Sequence, residues 1–326
     1  VQADPSPHIL ILCEQNLTGT RNQLLGVAQA LQSYGRFTQH LYEFSLSPLQ
    51  MIFPALIRIP DLDRPTLILA AGRKSLFILK ALKKKWGQTR PFTVFLQDPR
   101  GNHDLFDLVV MPYHDPKPSQ NNVTIFQTWG APNRIIPDEL NQHRPLLKPI
   151  IDSWSGHGHK VAICIGGKSK HHDLPPPLAH KMAQRLLDLA NRADVSGLMI
   201  TLSRRTPPKS AAIFQQILSH HPKIYLWDGK GENPYFSMLA WADIMMVTND
   251  SVSMISESLS TGKPLYILPL TGRSRKIESF IKSMITQGRA RLFDDGQLEI
   301  WEYAPLNEAA RVAAAVVNFL NTKDTI

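Results

Sequence analysis

Short apolar runs alternate with longer segments of helical period from one end of this chain to the other. Such runs suit strands buried on both faces, with helices between them as covers. The pattern is the βαβα signature of parallel sheets covered by helices. It starts with His8 to Cys13, a loop with Gly19, and a helix expected from about Arg21 to Tyr34, where Leu24, Leu25, Ala28 and Leu31 recur at helical spacing. "TLILAAG", a helix through "SLFILKALKKKWG", and the runs "FTVFLQD", "DLVVMP" and "VTIFQT" follow.

A second series opens near residue 159 with "KVAICIGG", then a helix over roughly 178–193. After it come "GLMITLSRRTPP", the helix "SAAIFQQILSHH", "KIYLWD", the helix "YFSMLAWA", "DIMMVT", a short helix and "PLYILPL". The halves echo one another. "HILILCE" matches "KVAICIGG", "TLILAAGRKS" matches "GLMITLSRRT", and "FDLVVMPYHD" matches "ADIMMVTNDS". A length of 326 residues accommodates two domains. The expected division is 1–150, 151–305 and a last helix, within 306–326, that packs back on the first domain. "HRPLLKPIIDSWSGHGH", rich in Pro, Gly and Ser, reads as the linker.

Open parallel sheets bind ligands beyond the carboxyl ends of their strands. The unusual polar residues cluster there: Gly19, Thr20, Gly72, Arg73, Asp98, Arg100, Gly167, Lys168, Ser203, Arg204, Asp250 and Ser251. The expected site is therefore a cleft between the domains. "TNDSVSMISE", 248–257, is its most informative stretch. Val252, Ile255 and Leu259 fall on one helix face, and Ser253 and Glu257 are i, i+4 on a neighbouring one. Asp250 or Ser251 can cap the helix. Its N-terminus suits a phosphate, and an acid less than two turns in can accept from ribose hydroxyls. A plain cap with a solvent-facing Glu257 is the simpler alternative.

Other motifs exclude more than they assign. "IGGKSK" lacks the earlier glycine of a Walker loop, although a Gly-Gly turn beside Lys168 can approach a diphosphate or be only a tight turn. In "LSRRTPP", Ser203, Arg204 and Arg205 stand at a strand end, where arginine suits phosphate. The loop "WDGKGENPY" can offer backbone groups to a base. "CEQNLTGTRNQ" has one glycine, which argues against a dinucleotide fingerprint. The twelve histidines show no metal spacing, and "FDDGQ" reads as a turn. Cys13 and Cys164 sit inside apolar runs and read as buried, reduced thiols, fitting a reducing compartment. No run approaches a membrane span, and "VQADPSPHILIL" carries no signal-peptide pattern. The net charge of +9 attracts anions. Basic-aromatic interleaving that would track a nucleic acid strand is lacking, so no nucleic acid is expected. "KALKKKWG" is basic and amphipathic and suits either anionic lipid or solvent.

Taken together, the Gly19–Asn22–Gln23–Gly26–Ala28 run, "AAGRKS", "QDPR", "FDLVVMPYHD", "GAPNRI", "LSRRTP", "NPYFSMLAWAD", "TNDSVSMISE" and "TGKPLYILPL" resemble the "elongated mitochondria" mitochondrial-fission family. The first loop, Cys13-Glu14-Gln15, departs from that family's Asp-Gly opening. The second half also resembles GT-B glycosyltransferases, particularly the cell-wall N-acetylglucosaminyltransferase with a lipid acceptor. The resemblance implies a GT-B fold: two Rossmann-type, doubly wound parallel-sheet domains facing a cleft. It implies metal-independent binding of a nucleotide sugar, UDP-linked, no cofactor, and an inverting or retaining transfer. By position the ribose-holding acid falls on Glu257. Gly167, Lys168, Ser203, Arg204, Ser251 and Ser253 would hold the phosphates and ribose with it, and Asp250 is counted with these nucleotide-sugar-binding residues. Asp98, then Glu14, is the expected acceptor base, with Gly19, Thr20, Arg73 and Arg100 on the acceptor side. The expected setting is cytoplasmic, peripheral on a membrane with a lipid-linked acceptor. Two alternatives stand beside transfer: a sugar-nucleotide 2-epimerase, for which His114 and Asp115 are the first-domain pair, and a non-catalytic adaptor in membrane fission.

Overall fold

Both series of apolar runs become parallel strands, in two separate sheets. The computed structural model describes residues 7–59, 62–99, 101–115 and 123–322. The chain divides into Val1–Arg134 with Asn307–Ile326, and Ile135–Leu306. The boundary thus falls at 134/135 rather than near 150.

The first unit begins with β1 (His8–Glu14), α1 (Thr18–Leu31), β2 (Thr38–Phe44), α2 (Pro48–Ile52), β3 (Leu67–Ala71) and α3 (Ser75–Trp86). It continues with β4 (Phe92–Leu96), β5 (Leu108–Pro112) and β6 (Thr124–Thr128). Among the described residues its strands form one parallel sheet in the order β2-β1-β3-β4-β5-β6. Alternation along β1 sends Ile9, Ile11 and Cys13 into one core, and Leu10 and Leu12 into another on the opposite face.

The second unit holds α4 (Pro137–Ser153), β7 (His159–Ile165), β8 (His172–Asp173), α5 (Pro176–Ala190), β9 (Val195–Leu202), α6 (Pro208–Leu218) and β10 (Ile224–Trp227). Then come α7 (Tyr235–Trp241), β11 (Ile244–Thr248), α8 (Val252–Ser260), β12 (Leu265–Leu268), β13 (Thr271–Gly272), α9 (Arg275–Thr286) and β14 (Ala290–Leu292). Its main sheet is parallel, in the order β10-β9-β7-β11-β12-β14, and β8 pairs with β13 in a small antiparallel ribbon. Val161, Ile163 and Ile165 of β7 pack with α5 and α6. The last helix, α10 (Glu308–Thr322), belongs to the first unit, where Val312, Ala313, Val316 and Leu320 share a core with Leu24, Val27 and Leu31 of α1.

Several expectations need correction. The proposed linker is helical from residue 143 to 153, because α4 runs through Pro145 and Pro149. A proline inside a helix removes a donor, and contacts with α7 hold the segment in place. Trp241 Nε1 donates to the Arg144 carbonyl at 2.8 Å, and the Leu147 N–H donates to Ser237 Oγ at 3.2 Å. Helix α1 begins at Thr18, so Gly19 and Thr20 lie in its first turn and not in a loop; Leu17 at the cap offers no side-chain bond that would mark the start. Helix α9 and β14, which the apolar runs above did not mark, precede the last helix. The internal echoes are not structural equivalences. Counted from the first strand of each unit, the sheets run 2-1-3-4-5-6 and 3-2-1-4-5-6, so "TLILAAG" and "GLMITL" occupy different positions.

Candidate functional site

In the second unit the chain winds outward from β7 in one direction to β9 and β10, and in the other to β11, β12 and β14. The point between β7 and β11 is where an open α/β sheet leaves a crevice. Three loops leave the strands beside it, after β7, β9 and β11, and one carboxylate knits them together.

That carboxylate is Asp250, whose side chain is 0% exposed. Its Oδ2 accepts from the Gly167 N–H at 3.2 Å and lies 2.8 Å from Arg205 Nη2. Its Oδ1 accepts from the Thr248 hydroxyl at 2.6 Å, while Thr248 Oγ1 accepts the Gly166 N–H at 2.7 Å. The Lys168 N–H donates to the Arg205 carbonyl, and the Thr206 hydroxyl donates to the Gly166 carbonyl. Glycine is required at both 166 and 167. A Cβ would stand 2.1 Å from Asp250 Oδ1 at the first and 2.3 Å from the Arg205 carbonyl oxygen at the second. The structure therefore moves Asp250 from ligand contact to internal latch. Gly167 likewise has an internal cause, because its N–H points to the latch. Lys168 and Arg204 are exposed on the same platform. The Ser203 hydroxyl accepts from the Arg205 N–H at 3.1 Å.

Ser251 is the N-cap of α8, its Oγ accepting from the Met254 N–H at 3.4 Å. Ile255 and Leu259 are fully buried, as their spacing requires. Glu257 is not solvent-facing: it is 6% exposed, and the Tyr235 hydroxyl donates to its Oε2 at 2.6 Å. A carboxylate so deep needs donors. Burial, and then the charge of Glu257, push the Tyr235 phenol well above its ordinary range. The same two causes raise the Cys164 thiol. Both neighbours thus stay protonated, and Tyr235 remains a donor. Residues 228–234 lead from β10 to Tyr235, and the Asn233 side chain accepts from the Tyr235 N–H at 3.0 Å.

Tyr235 and Thr248 enter the site without having been named as site residues. The "NPY" turn before a helix was a usable signal for Tyr235; nothing local marks Thr248. Arg205, read at the strand end as suited to phosphate, pairs instead with Asp250. His172 is a further addition. It is 4% exposed, its Nδ1 lacks a hydrogen-bond partner among the described residues, and burial lowers its pKa while Asp250 opposes that shift.

In the first unit, the corresponding change of direction lies between β1 and β3. Glu14 at the end of β1 pairs with Lys74, which follows β3, at 2.6 Å. Asp98 and Arg73 are exposed beyond β4 and β3. Arg100 lies outside the described residues. His114 and Asp115 follow β5. The "FDDGQ" turn is tied down by Asp295, whose carboxylate meets Arg185 Nε at 2.6 Å.

The profile of the mitochondrial fission ELM1 family matches residues 18–320. Mitochondrial fission protein ELM1 of Arabidopsis thaliana is 32% identical over 274 residues, which is 78% of this chain and 64%, under two thirds, of that protein. The uncharacterized protein RP120 of Rickettsia prowazekii (strain Madrid E) is 28% identical, covering 92% of this chain and 95% of its own. Among solved structures, UDP-GlcNAc 2-epimerase from Methanocaldococcus jannaschii overlays with a TM-score of 0.58 at 10% identity, covering 95% of this chain and 99% of that one. S. aureus MnaA, solved with UDP, gives 0.55 at 15% identity, covering 98% of each chain. The glycosyltransferase SnogD from Streptomyces nogalater gives 0.51 at 14% identity, covering 96% of this chain and 100% of that one. At these identities the likeness is one of fold, and the fold is GT-B. The extent of the profile match and the identity to the plant protein place the chain in the mitochondrial fission ELM1 family.

Proposed function

We propose that the Ile135–Leu306 unit binds a nucleoside diphosphate sugar, UDP-linked, and that the protein is a GT-B-type glycosyltransferase. The observation that carries this is Glu257, a buried acid held by the Tyr235 hydroxyl on the helix that starts at the sheet's change of direction. An oriented carboxylate at such a position suits ribose hydroxyls. Ser251 and Ser253 begin the same helix, whose N-terminus favours a phosphate. Lys168 and Arg204 supply exposed positive charge, and the Asp250 latch keeps their loops in register. These groups stabilise the departing diphosphate. Asp98, with Glu14 second, takes the proton of the acceptor.

The test is calorimetric titration with UDP, UDP-N-acetylglucosamine, GDP and ADP, beside Glu257→Ala. Binding of the uridine ligands that the variant loses supports the reading. Absence of binding by the folded protein refutes it and leaves the adaptor. Release of free UDP from a bound donor separates transfer from simple epimerisation at the sugar, which leaves the diphosphate ester intact.

A further inference from the structure

Strand β2 is an outer strand of the first sheet. It is seven residues long, and its register with β1 is unbroken from His8↔Thr38 to Glu14↔Phe44. The other edges of the two main sheets, β6, β10 and β14, have five, four and three residues. Sheet edges are usually blunted by shortness, by lysine or proline, or by a bulge. "TQHLYEF" has none of these.

The backbone of β2 is fixed at both ends. The Thr38 N–H donates to the Pro7 carbonyl at 3.0 Å, and the Gln15 N–H donates to the Phe44 carbonyl at 2.9 Å. In a parallel pair alternate residues turn their backbone groups to the neighbour, so residues 38, 40, 42 and 44 bond to β1. Gln39, Leu41 and Glu43 turn theirs outward, where no strand pairs among the described residues. The side chains of these three lie on the α1 face. Gln39 Nε2 donates to the Ala28 carbonyl at 2.9 Å, Leu41 packs on the core that α1 covers, and Glu43 accepts from Arg21 Nε at 3.2 Å.

On that face, α1 and the turn before β2 wall a groove of about 730 Å³. Leu25 and Phe37 are its apolar part, and Arg21 and Arg134 also line it. Gly26 explains why Arg134 is there. A Cβ at Gly26 would stand 2.3 Å from the Asn133 carbonyl oxygen, so residues 133–134 press directly on α1. Arg21 stands at the Glu43 end of the edge. It uses Nε for Glu43, and its two terminal nitrogens have no partner among the described residues. Arg36 stands at the Thr38 end, exposed and without an ion pair among the described residues.

We infer that the edge of β2 takes an extended acidic segment of a partner protein as an added strand. The outward groups of Gln39, Leu41 and Glu43 supply the ladder. Residues paired across a ladder share a face of the sheet, so every second side chain of the added strand enters the groove. Those positions call for a carboxylate, an apolar residue and a carboxylate at i, i+2 and i+4. The acids meet the arginines at the two ends, and the apolar side chain meets Leu25 and Phe37. A second copy of this chain fits less well, because it brings a net charge of +9 to a cationic edge. The inference is independent of the nucleotide reading.

The test uses the full chain and a fluorescein-labelled peptide, Thr-Glu-Thr-Ile-Thr-Glu-Thr, read by anisotropy. Thr-Lys-Thr-Ile-Thr-Lys-Thr is the charge-reversed control. Amide hydrogen exchange by NMR reads the register. In the free protein the amides of Gln39, Leu41 and Glu43 should exchange faster than those of Thr38, His40, Tyr42 and Phe44. The acidic peptide should slow the first three. Arg21→Ala should weaken its binding about tenfold. Gln39→Pro deletes an outward N–H and no bond to β1, and should abolish the protection. The exchange measurement on the wild type stands even if that variant does not fold. The proposal falls if the acidic peptide shows no saturable binding, if the lysine peptide binds as well, or if binding leaves exchange at Gln39, Leu41 and Glu43 unchanged. It also falls if sedimentation equilibrium shows a wild-type dimer that Gln39→Pro makes monomeric.

Discussion

Removing one hydroxyl tests the candidate site at its most specific contact. Tyr235 donates to Glu257 Oε2 at 2.6 Å, and Glu257 is 6% exposed. Tyr235→Phe keeps the ring and deletes the donor. Bulk water has little access to replace it. A hydrogen bond to a charged group contributes about 1.5–3 kcal/mol, so the unfolding free energy should fall by about that much. In Glu257→Gln the charge is gone, and deleting the same hydroxyl should then cost about 0.5–1.5 kcal/mol, the value for a neutral pair. The two substitutions are therefore non-additive, with a coupling of about 1 kcal/mol or more. Urea unfolding at pH 7, followed by tryptophan fluorescence, measures all four proteins.

The pH dependence supplies a second check on the same bond. The folded-state pKa of Tyr235 is raised, first by burial and then by Glu257. The associated stability is present below pH 10 and is lost as pH rises beyond it. Tyr235→Phe should lack that alkaline loss. A variant within about 0.5 kcal/mol of the wild type, or one strictly additive with Glu257→Gln, would refute the orientation argued for Glu257. If UDP binds, the same hydroxyl deletion should weaken it about tenfold through a less ordered carboxylate.

Asp250→Ala should destabilise by about 3 kcal/mol or more, because it strands the donors that converge on a fully enclosed carboxylate; denaturant titration reads this. Gly166→Ala forces a Cβ to within 2.1 Å of Asp250 Oδ1 and should cost about 1–3 kcal/mol in the same assay. Lys263 donates to the Leu239 and Ala240 carbonyls, and burial lowers its pKa from 10.5 to about 8. The folded state releases that proton before the unfolded state does. Relative to Lys263→Met, wild-type stability should therefore rise by about 3 kcal/mol between pH 8 and 10.5. A flat difference would show that the ammonium is solvated.

The parallel sheets were legible because buried strands announce themselves by composition. "ILILC", "LILAA" and "VAICI" have no polar face to confuse with a helix stripe. Strand β2 was not, since "TQHLYEF" lies at the sheet edge with most side chains exposed or half-exposed. Helix α9 carries its own signal in the helical spacing of Ile277, Phe280, Ile281 and Met284. The α4 error differs in kind. Pro145 and Pro149 break the local rule for helices, and the contacts that anchor the segment come from Ser237 and Trp241, about ninety residues away. Local pattern cannot contain a remedy supplied by tertiary packing.

The same logic divides the candidate site. Ser251 as cap and Glu257 on the following helix were readable, because a cap and an i, i+4 relation are local facts. The role of Asp250 was not. Sequence places it beside Ser251, where an acid looks like a ligand contact. Structure encloses it, since Gly167 and Arg205 approach from loops more than forty residues upstream. Two acids seven residues apart thus sit in different surroundings. Asp250 is met by a cation and backbone, so its charge is used up inside the protein. Glu257 accepts from the Tyr235 hydroxyl, which orients its carboxylate. Orientation is what the reading of Glu257 as a binding acid requires, so the hydroxyl of Tyr235 is the group whose removal tests that reading.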